Sequence, residues 1–397
     1  MDPVRNPFSP GAGTPPPAFI GRNALLRKAD VALQRIQLGR SARSLILVGL
    51  RGVGKTVLLF RIREQAAAAG YKAIMLETPE NKSLAELLFA PLRQILLSLD
   101  AMENISTKAK RGLRVLKSFA SGLKVRIGEV ELGIDAELGS ADSGDLESDL
   151  GNLFEAVGEA AADRKTAVAL CIDELQYLRE TDLSALIMAV HRVAQKQLPL
   201  VVFGAGLPQI VATAGRSKSY AERLFEFPDI GALTSAEARE ALTGPVGQEQ
   251  VTFTEGALEE IVRVTEGYPY FLQQWGYEVW NTAKVSPIDL ATVRAASHLV
   301  VEGLDESFFR VRFDRLTPRE KAYLRAMAEG GPRPQRSGDI AEQMGVKVTS
   351  VAPVRNSLIK KGMLYSPAHG ENAFTVPLFD QYMIRVMPLW PEPRDRP

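Results

Sequence analysis

The chain has 397 residues, of which 46% are hydrophobic and 24% are charged, and its formal net charge is +1. This length allows two or three domains with buried cores, and the near-zero charge excludes a general attraction to nucleic acid or membranes, so such binding would need a local patch. One cysteine, Cys171, and three widely separated histidines exclude an internal disulfide and a cysteine-based zinc site.

The N-terminal stretch MDPVRNPFSPGAGTPPP is rich in proline and glycine and lacks the apolar segment of a secretory signal. It predicts a flexible arm over residues 1–17. The sequence contains no run of about 18 apolar residues, which argues against a membrane-spanning helix. We therefore expect a cytoplasmic protein with no membrane partner.

The first strong motif follows the apolar run Ser44–Val48, which is typical of a buried parallel strand. The sequence GLRGVGKT then matches G-x-x-x-x-G-K-T and leads into a helical pattern, which predicts a phosphate-binding loop for ATP or ADP. Lys55 would reach the β- and γ-phosphates, and the Thr56 hydroxyl would bind Mg²⁺. The predicted nucleotide-binding residues are Gly49, Leu50, Arg51, Gly52, Val53, Gly54, Lys55, Thr56 and Val57.

Between the predicted second strand, KAIMLETPE, and the next apolar run lies a long insertion, at about residues 100–145. Residues 107–122 predict a helix with five Lys or Arg and no acidic residue, which could contact DNA or a protein, or could simply face solvent. Residues 123–137 alternate apolar and charged side chains and predict a β-hairpin that turns near Gly128.

The second strong motif is an acidic pair within the stretch TAVALCIDELQYL at residues 166–178. Asp173 and Glu174 end this predicted strand, and ligands of parallel sheets bind at the C-terminal edges of the strands. Asp173 is therefore predicted to hold Mg²⁺, and Glu174 to polarise the attacking water.

Two more strands are predicted, at LPLVVFGAG (198–206) and near residues 226–228. Arg223 precedes the second one. An arginine there could contact a γ-phosphate, in its own chain or in a neighbouring subunit, or could pair at the surface with Glu222 or Glu226.

From Leu316 onward, three short helices and two strands around a glycine-containing tip predict a winged helix-turn-helix. The third helix of such a domain can enter the major groove of double-stranded DNA. The candidate DNA-binding residues are Ser350, Arg355, Asn356, Lys360 and, at the tip, His369. Residues 317–397 contain 12 Lys or Arg and 8 Asp or Glu, a balance of 12 − 8 = +4, and winged helices also serve as protein-docking or dimer modules.

The order of these motifs resembles that of bacterial ATP-binding proteins grouped with the origin-recognition-type AAA+ ATPases, and is similar to the STAND class of signalling ATPases. The motifs are FIGR at 19–22, GLRGVGKT, CIDE, FGAGLP, RLFEF and GYP, followed by the winged helix. The resemblance covers roughly residues 18–390 and implies an α/β P-loop fold, a parallel sheet with helices on both faces. The implied domains are an ATPase core (18–230), a helical lid (231–303), a winged-helix domain (304–391) and a tail (392–397).

The resemblance also implies further nucleotide contacts. Phe19, Ile20, Gly21 and Arg22 would line the adenine pocket, and Tyr268 and Pro269 would contact nucleotide from the lid.

Many AAA+ lids carry an arginine at the point where this chain has Gly-Tyr-Pro. The GYP sequence is similar to the STAND lid motif, although Gly267 and Pro269 also fit simple helix punctuation. Related ATPases place a polar γ-phosphate sensor at the end of the third predicted strand. Here Gly204-Ala205-Gly206 offers only backbone, and Gln209 is the nearest substitute.

Two functions follow from these predictions. The first is a slow ATPase whose nucleotide state controls a DNA-binding winged helix. The basic insertion helix and the outward Arg355, Asn356 and Lys360 favour this first function. The second is a signalling switch that oligomerises or docks a protein partner on ATP binding, without DNA, and the missing lid arginine favours it.

Overall fold

The computed structural model describes residues 1–11, 13–80, 82–101, 106–122 and 135–390. It divides into a sheet unit, Arg22–Val48 with Lys55–Asp229, and a helical unit, Met1–Gly21 with Gly49–Gly54 and Ile230–Pro397. The predicted hairpin at 123–137 lies almost entirely outside the described residues. Within the described ranges, none of the helices has the length and apolar character needed to span a bilayer.

The sheet unit contains a five-stranded parallel sheet in the order β2-β3-β4-β1-β5. The strands are β1 (Ser44–Val48), β2 (Lys72–Glu77), β3 (Val168–Asp173), β4 (Leu200–Gly206) and β5 (Phe225–Glu226). Every residue of β1, β3 and β4 is buried, so both faces of the sheet are covered. This confirms the predicted parallel sheet with flanking helices.

Eight helices surround this sheet in the described part of the unit. They are α1 (Asn23–Gln37), α2 (Lys55–Ala68), α3 (Leu84–Asp100), α4 (Thr107–Gly122), α5 (Leu146–Asp163), α6 (Glu180–Gln195), α7 (Gln209–Ser217) and α8 (Ala221–Leu224). Side-chain caps fix several starts: Ser83 and Glu86 form a capping box at α3, and Asp145 caps α5.

The basic helix of the insertion, α4, is a packed element of the sheet unit. Its Leu113, Leu116 and Phe119 are buried in the core. Lys108 pairs with Glu159 on α5 at 2.9 Å, and Arg111 pairs with Glu137 at 3.0 Å and with Glu159 at 3.3 Å. Arg114 also pairs with Glu137, at 3.6 Å. At least three of its five basic side chains thus have acidic partners within the chain, which favours a packing role over a free DNA-binding face.

In its described residues, the helical unit combines the 3₁₀ helix Pro3–Arg5 and ten further helices with a small antiparallel sheet in the order β6-β8-β7. The helices are α9 (Ser235–Gln248), α10 (Glu255–Thr265), α11 (Pro269–Thr282), α12 (Leu290–Gly303), the π-helical turn Leu304–Phe309, α13 (Arg310–Phe313), α14 (Pro318–Glu329), α15 (Ser337–Gln343), α16 (Val348–Lys360) and α17 (Phe379–Val386). The strands are β6 (Gln335–Arg336), β7 (Leu364–Tyr365) and β8 (Glu371–Phe374).

One apolar core runs through the helical unit, from the predicted lid (231–303) into the residues that follow it (304–390), which we call the C-terminal module. Phe271 of α11 contacts Phe308 with ring centroids 6.1 Å apart, and Phe309 stacks on Tyr382 of α17 at 5.2 Å. The predicted boundary near residue 304 therefore falls inside a continuous packing layer.

The first eight residues are packed against α11, where the sequence predicted a flexible arm. Phe8 is 2% exposed, and its ring lies 2.7 Å from the place where a Cβ on Gly276 would stand. Asn6 Nδ2 donates to the Tyr277 carbonyl at 3.0 Å, and Trp280 Nε1 donates to the Asp2 carbonyl at 2.8 Å. The apolar ring of Phe8 and these hydrogen bonds hold a segment that contains the short 3₁₀ helix Pro3–Arg5.

Candidate nucleotide-binding site

The sheet unit brings the start of α2 to the end of β3. Thr56, in the first turn of α2, donates its Oγ1 hydrogen to Asp173 Oδ2 at 2.6 Å. Asp173 is the last residue of β3 and is 3% exposed, and the neighbouring Lys55 is 7% exposed. A hydroxyl, a carboxylate and an ammonium group, predicted from two separate motifs, therefore meet at the C-terminal edge of the sheet.

Burial is the largest influence on the Asp173 carboxyl and raises its pKa. The hydrogen bond from Thr56 and the charge of Lys55 act in the opposite direction, and the charge of Glu174 adds to the rise. A carboxylate that is buried in this way is stabilised by a further positive charge. Oxygen donors of this kind suit Mg²⁺, so Asp173 and Thr56 fit the ion that the motif implies.

Glu174 follows directly and has a left-handed backbone, with φ 55°. Its backbone N donates to Asp173 Oδ1 at 2.8 Å, and its carboxylate accepts a hydrogen bond from Gln176 Nε2. Gln176 Oε1 in turn accepts from the Leu207 backbone N at 3.0 Å. The sequence analysis missed Gln176, because only the folded register of β3 and β4 brings it to Leu207.

In the helical unit, the loop Gly49–Gly54 is held by backbone contacts. Gly52 and Gly54 have φ values of 81° and 89°, which side chains disfavour. The Gly52 carbonyl accepts from Tyr270 N at 3.1 Å, at the start of α11, and Arg51 N donates to the Thr375 carbonyl at 3.0 Å, just after β8.

The GYP motif and the FIGR motif also lie in the helical unit. Gly267 has φ 72°, and Pro269 begins α11, as the sequence predicted. Ile20 packs against the unit's core, and Tyr268 is half-buried. The predicted contacts of Phe19, Ile20, Gly21, Arg22, Tyr268 and Pro269 with nucleotide stay predictions.

Arg223 lies near the N-terminal edge of the sheet, whereas Thr56 and Asp173 meet at its C-terminal edge. It is exposed on α8, directly before β5, whose Phe225 pairs in parallel with Ser44 at the start of β1. The loop begins after Val48, the end of β1, so about 13 Å of strand separates Ser44 from Val48 at roughly 3.3 Å per residue. The contact of Arg223 with a γ-phosphate stays a prediction.

Gln209, the suggested substitute sensor, begins α7. Its Oε1 is buried and has no hydrogen-bond partner among the described residues. Gln176 instead is the glutamine that reaches Glu174.

The candidate DNA-binding residues have different surroundings. Asn356, Lys360 and His369 are exposed. Arg355 was expected to face outward, but its Nη2 donates to Ser366 Oγ at 2.9 Å and its Nε donates to Asn372 Oδ1, so it joins α16 to the β7–β8 hairpin. Ser350 Oγ donates to the Lys347 carbonyl at 2.7 Å in the first turn of α16.

Two family models match different parts of the chain. Residues 18–203 match the family model described as AAA ATPase domain, and residues 306–383 match the one described as Domain of unknown function (DUF8462). No curated protein sequence matches this chain.

Among solved structures, the fold is similar to the Walker-type ATPase of Pyrococcus abyssi, at 17% identity and a TM-score of 0.55, covering 92% of this chain and 96% of that one. The Aeropyrum pernix Orc1 protein in complex with DNA has 16% identity and a TM-score of 0.47, with 94% of each chain covered. The Thermotoga maritima RuvB Holliday junction branch migration motor has 17% identity and a TM-score of 0.43, with 89% and 92% covered. At 17% identity, the similarity to the Pyrococcus abyssi ATPase shows the fold alone.

Proposed function

We propose, from the AAA ATPase domain at residues 18–203, that the chain binds ATP with Mg²⁺ and hydrolyses it slowly to ADP and phosphate. The observation that carries this proposal is the 2.6 Å hydrogen bond between Thr56 and Asp173, which are 117 positions apart. It joins the hydroxyl of a GKT loop to a buried acid at a strand end. P-loop ATPases use this pair of groups to hold Mg²⁺ beside the phosphates.

Each residue of the site has a distinct part in the proposed reaction. Lys55 would bind the β- and γ-phosphates, and the Thr56 hydroxyl and Asp173 would hold Mg²⁺, which would neutralise part of the phosphate charge. Glu174 would orient the attacking water and accept its proton. The positive-φ glycines of the loop support close approach of backbone N–H groups to phosphate.

Two substitutions test this site. Lys55→Ala should abolish ATP binding or weaken it severely, and unchanged affinity in calorimetry would refute the loop assignment. Glu174→Gln should retain ATP while lowering turnover by about 10²- to 10⁴-fold, the usual range for a positioned base. The exposed Glu180→Gln is a matched control. Wild-type turnover in Glu174→Gln would remove Glu174 from this role.

The nucleotide state is proposed to reach the C-terminal module through the loop itself. Arg51 N donates to the carbonyl of Thr375, and the Thr375 hydroxyl bonds the carbonyls of Gly362 and Met363, which follow α16. Phosphate binding would fix the backbone of the loop and so bias these contacts. This supports a switch in which α16 and the hairpin respond to nucleotide.

We propose that the C-terminal module is a winged helix that binds double-stranded DNA. The exposed Asn356 and Lys360 on α16 and His369 at the hairpin tip support this proposal, as does the mildly basic charge of the segment. Binding through phosphates should weaken steeply with salt, and Lys360→Ala should lower the slope of log affinity against log salt by about 1. Lys284→Ala, an exposed lysine outside the module, is the control; equal slopes for the two variants would contradict the DNA surface.

A second candidate is a switch that docks a protein partner or a second copy without DNA. The engagement of Arg355 within its own domain, and the ion pairs of α4, favour this alternative because they remove basic groups from the available surface. Steady-state hydrolysis, with and without duplex DNA and over a range of protein concentrations, separates the two. Stimulation by DNA supports the first proposal, and turnover that ignores DNA supports the second.

The position of Arg223 supports a role in a neighbouring copy rather than in its own chain. In that arrangement its guanidinium would offset charge on the γ-phosphate of the adjacent subunit. Hydrolysis per subunit would then increase with protein concentration, because only assembled copies have a complete site.

A further inference from the structure

The side chain of Gln176 has one defined orientation beside Glu174. Its Nε2 donates to Glu174 Oε2, and its Oε1 accepts from Leu207 N at 3.0 Å. A backbone N–H can only donate, so the carboxamide oxygen must face Leu207. The NH₂ group is therefore left to face the carboxylate, and both ends of the amide are satisfied.

Gln176 also occupies the space at the end of β4. Leu207 follows Gly206, which pairs with Val48, the residue before the phosphate-binding loop. A Cβ on Gly206 would lie 3.2 Å from Gln176 Oε1, and a Cβ on Gly204 would collide with Leu175. The glycines at the end of β4 thus make room for the turn Leu175–Tyr177, which brings an amide to the strand end.

The backbone around Glu174 fixes the direction of its Cα–Cβ bond but does not fix the position of its carboxylate. Tyr177 N donates to the Glu174 carbonyl at 3.0 Å, and the left-handed conformation of Glu174 sets the direction in which its side chain leaves the chain. A glutamate has rotatable bonds beyond that point. Among the described residues, the hydrogen bond from Gln176 Nε2 restrains these rotatable bonds of Glu174.

We propose that Gln176 is a positioning residue that aims the Glu174 carboxylate, and that it replaces the polar side chain absent from the end of β4. This inference rests on the proposed ATP hydrolysis by the same site. It predicts an effect on turnover that is separate from nucleotide affinity, because Gln176 acts on Glu174 and the loop holds the phosphates.

The first test replaces the amide by a side chain of similar length. Gln176→Met should lower kcat by about 100-fold, the usual consequence of a small misplacement of a catalytic group, and should leave the ATP dissociation constant within twofold of wild type. Gln195→Met, at an exposed site on α6, is the matched control. Thermal unfolding of both variants establishes that the chains are folded.

The second test uses charge. Gln176→Glu keeps the shape, and a carboxylate oxygen can still accept from Leu207 N, but it sets a second carboxylate against Glu174 in place of the NH₂ donor. Repulsion between the two like charges should turn the Glu174 carboxylate away, so kcat should fall at least as far as in Gln176→Met. A purely structural role for Gln176, met by its shape and its bond to Leu207, would leave the kcat of Gln176→Glu near wild type.

The outcomes separate this inference from the proposed function. If wild type neither binds nor hydrolyses ATP, both fail. If wild type hydrolyses ATP and Glu174→Gln does not, but Gln176→Met or Gln176→Glu matches or exceeds wild-type kcat, the proposed function stands and the positioning role is overturned.

Discussion

The charge of the Glu320 carboxylate is predicted to stabilise the C-terminal module. It accepts hydrogen bonds of 2.7 Å from Ser357, from Lys361 and from the Thr317 backbone, and so ties α14 to α16. Burial raises the pKa of Glu320, but these hydrogen bonds outweigh it and lower the pKa from 4.5 to about 2. At 1.36 kcal/mol per pH unit, the ionised group contributes about 3 kcal/mol to the free energy of unfolding.

The sign of the pH dependence follows from a folded pKa that lies below the unfolded one. The contribution is complete above about pH 4.5 and is lost as the pH falls through the folded value near 2. Glu320→Gln, which removes the charge and keeps the shape, should therefore destabilise the helical unit by about 3 kcal/mol at pH 7, equivalent to roughly 6–12 °C in Tm. The loss should shrink steadily between pH 4.5 and pH 3.

Urea denaturation of both chains at pH 7, 5, 4 and 3 measures this difference. Glu342→Gln, at an exposed position on α15, is the control and should change stability by less than about 0.5 kcal/mol. A loss for Glu320→Gln that is the same at pH 7 and pH 3 would show that the charge is not the stabilising feature. No loss at pH 7 would refute the network as described.

Three other predictions concern the arm, the loop and assembly. Phe8→Ala should lower the free energy of unfolding by about 3 kcal/mol because it empties a buried site, whereas Val4→Ala, on the exposed part of the arm, should have little effect in the same melt. Thr375→Val should lower the free energy of unfolding by about 1 kcal/mol because the hydroxyl hydrogen bonds are lost. It should also abolish any ATP-induced change in hydrogen exchange at residues 362–375. An unchanged exchange response would contradict the proposed coupling between the loop and the C-terminal module. Mixing Arg223→Ala with Lys55→Ala chains should restore hydrolysis that neither shows alone, and no recovery would rule out an arginine supplied by a neighbour.

The phosphate-binding loop, the acidic strand end and the parallel sheet were predictable because each depends on short-range pattern. The GKT motif specifies its local conformation, and the continuous apolar runs of β1, β3 and β4 indicate strands that are buried on both faces of the sheet. The same reasoning predicted Pro269 at the start of α11, where its missing N–H has no cost.

Features that depend on distant partners were not predictable. The spacing of α16 placed Arg355 outward, but residues on the hairpin that follows supply its hydrogen-bond acceptors. Gln176 acquires its role from Leu207, 31 positions away, and Phe8 is buried by α11, more than 260 positions away. A single sequence offers no periodicity for contacts of this kind.

The discontinuous helical unit has a consequence for how the chain is made. The ribosome adds about 5–20 residues per second, so Phe8 waits on the order of half a minute before Gly276 of α11 is synthesised. The hydrogen bond from Arg51 N to the Thr375 carbonyl waits longer still, because its two residues are farther apart along the chain than Phe8 and Gly276. A nascent chain could therefore complete its parallel sheet before its loop gains the backbone contact with Thr375.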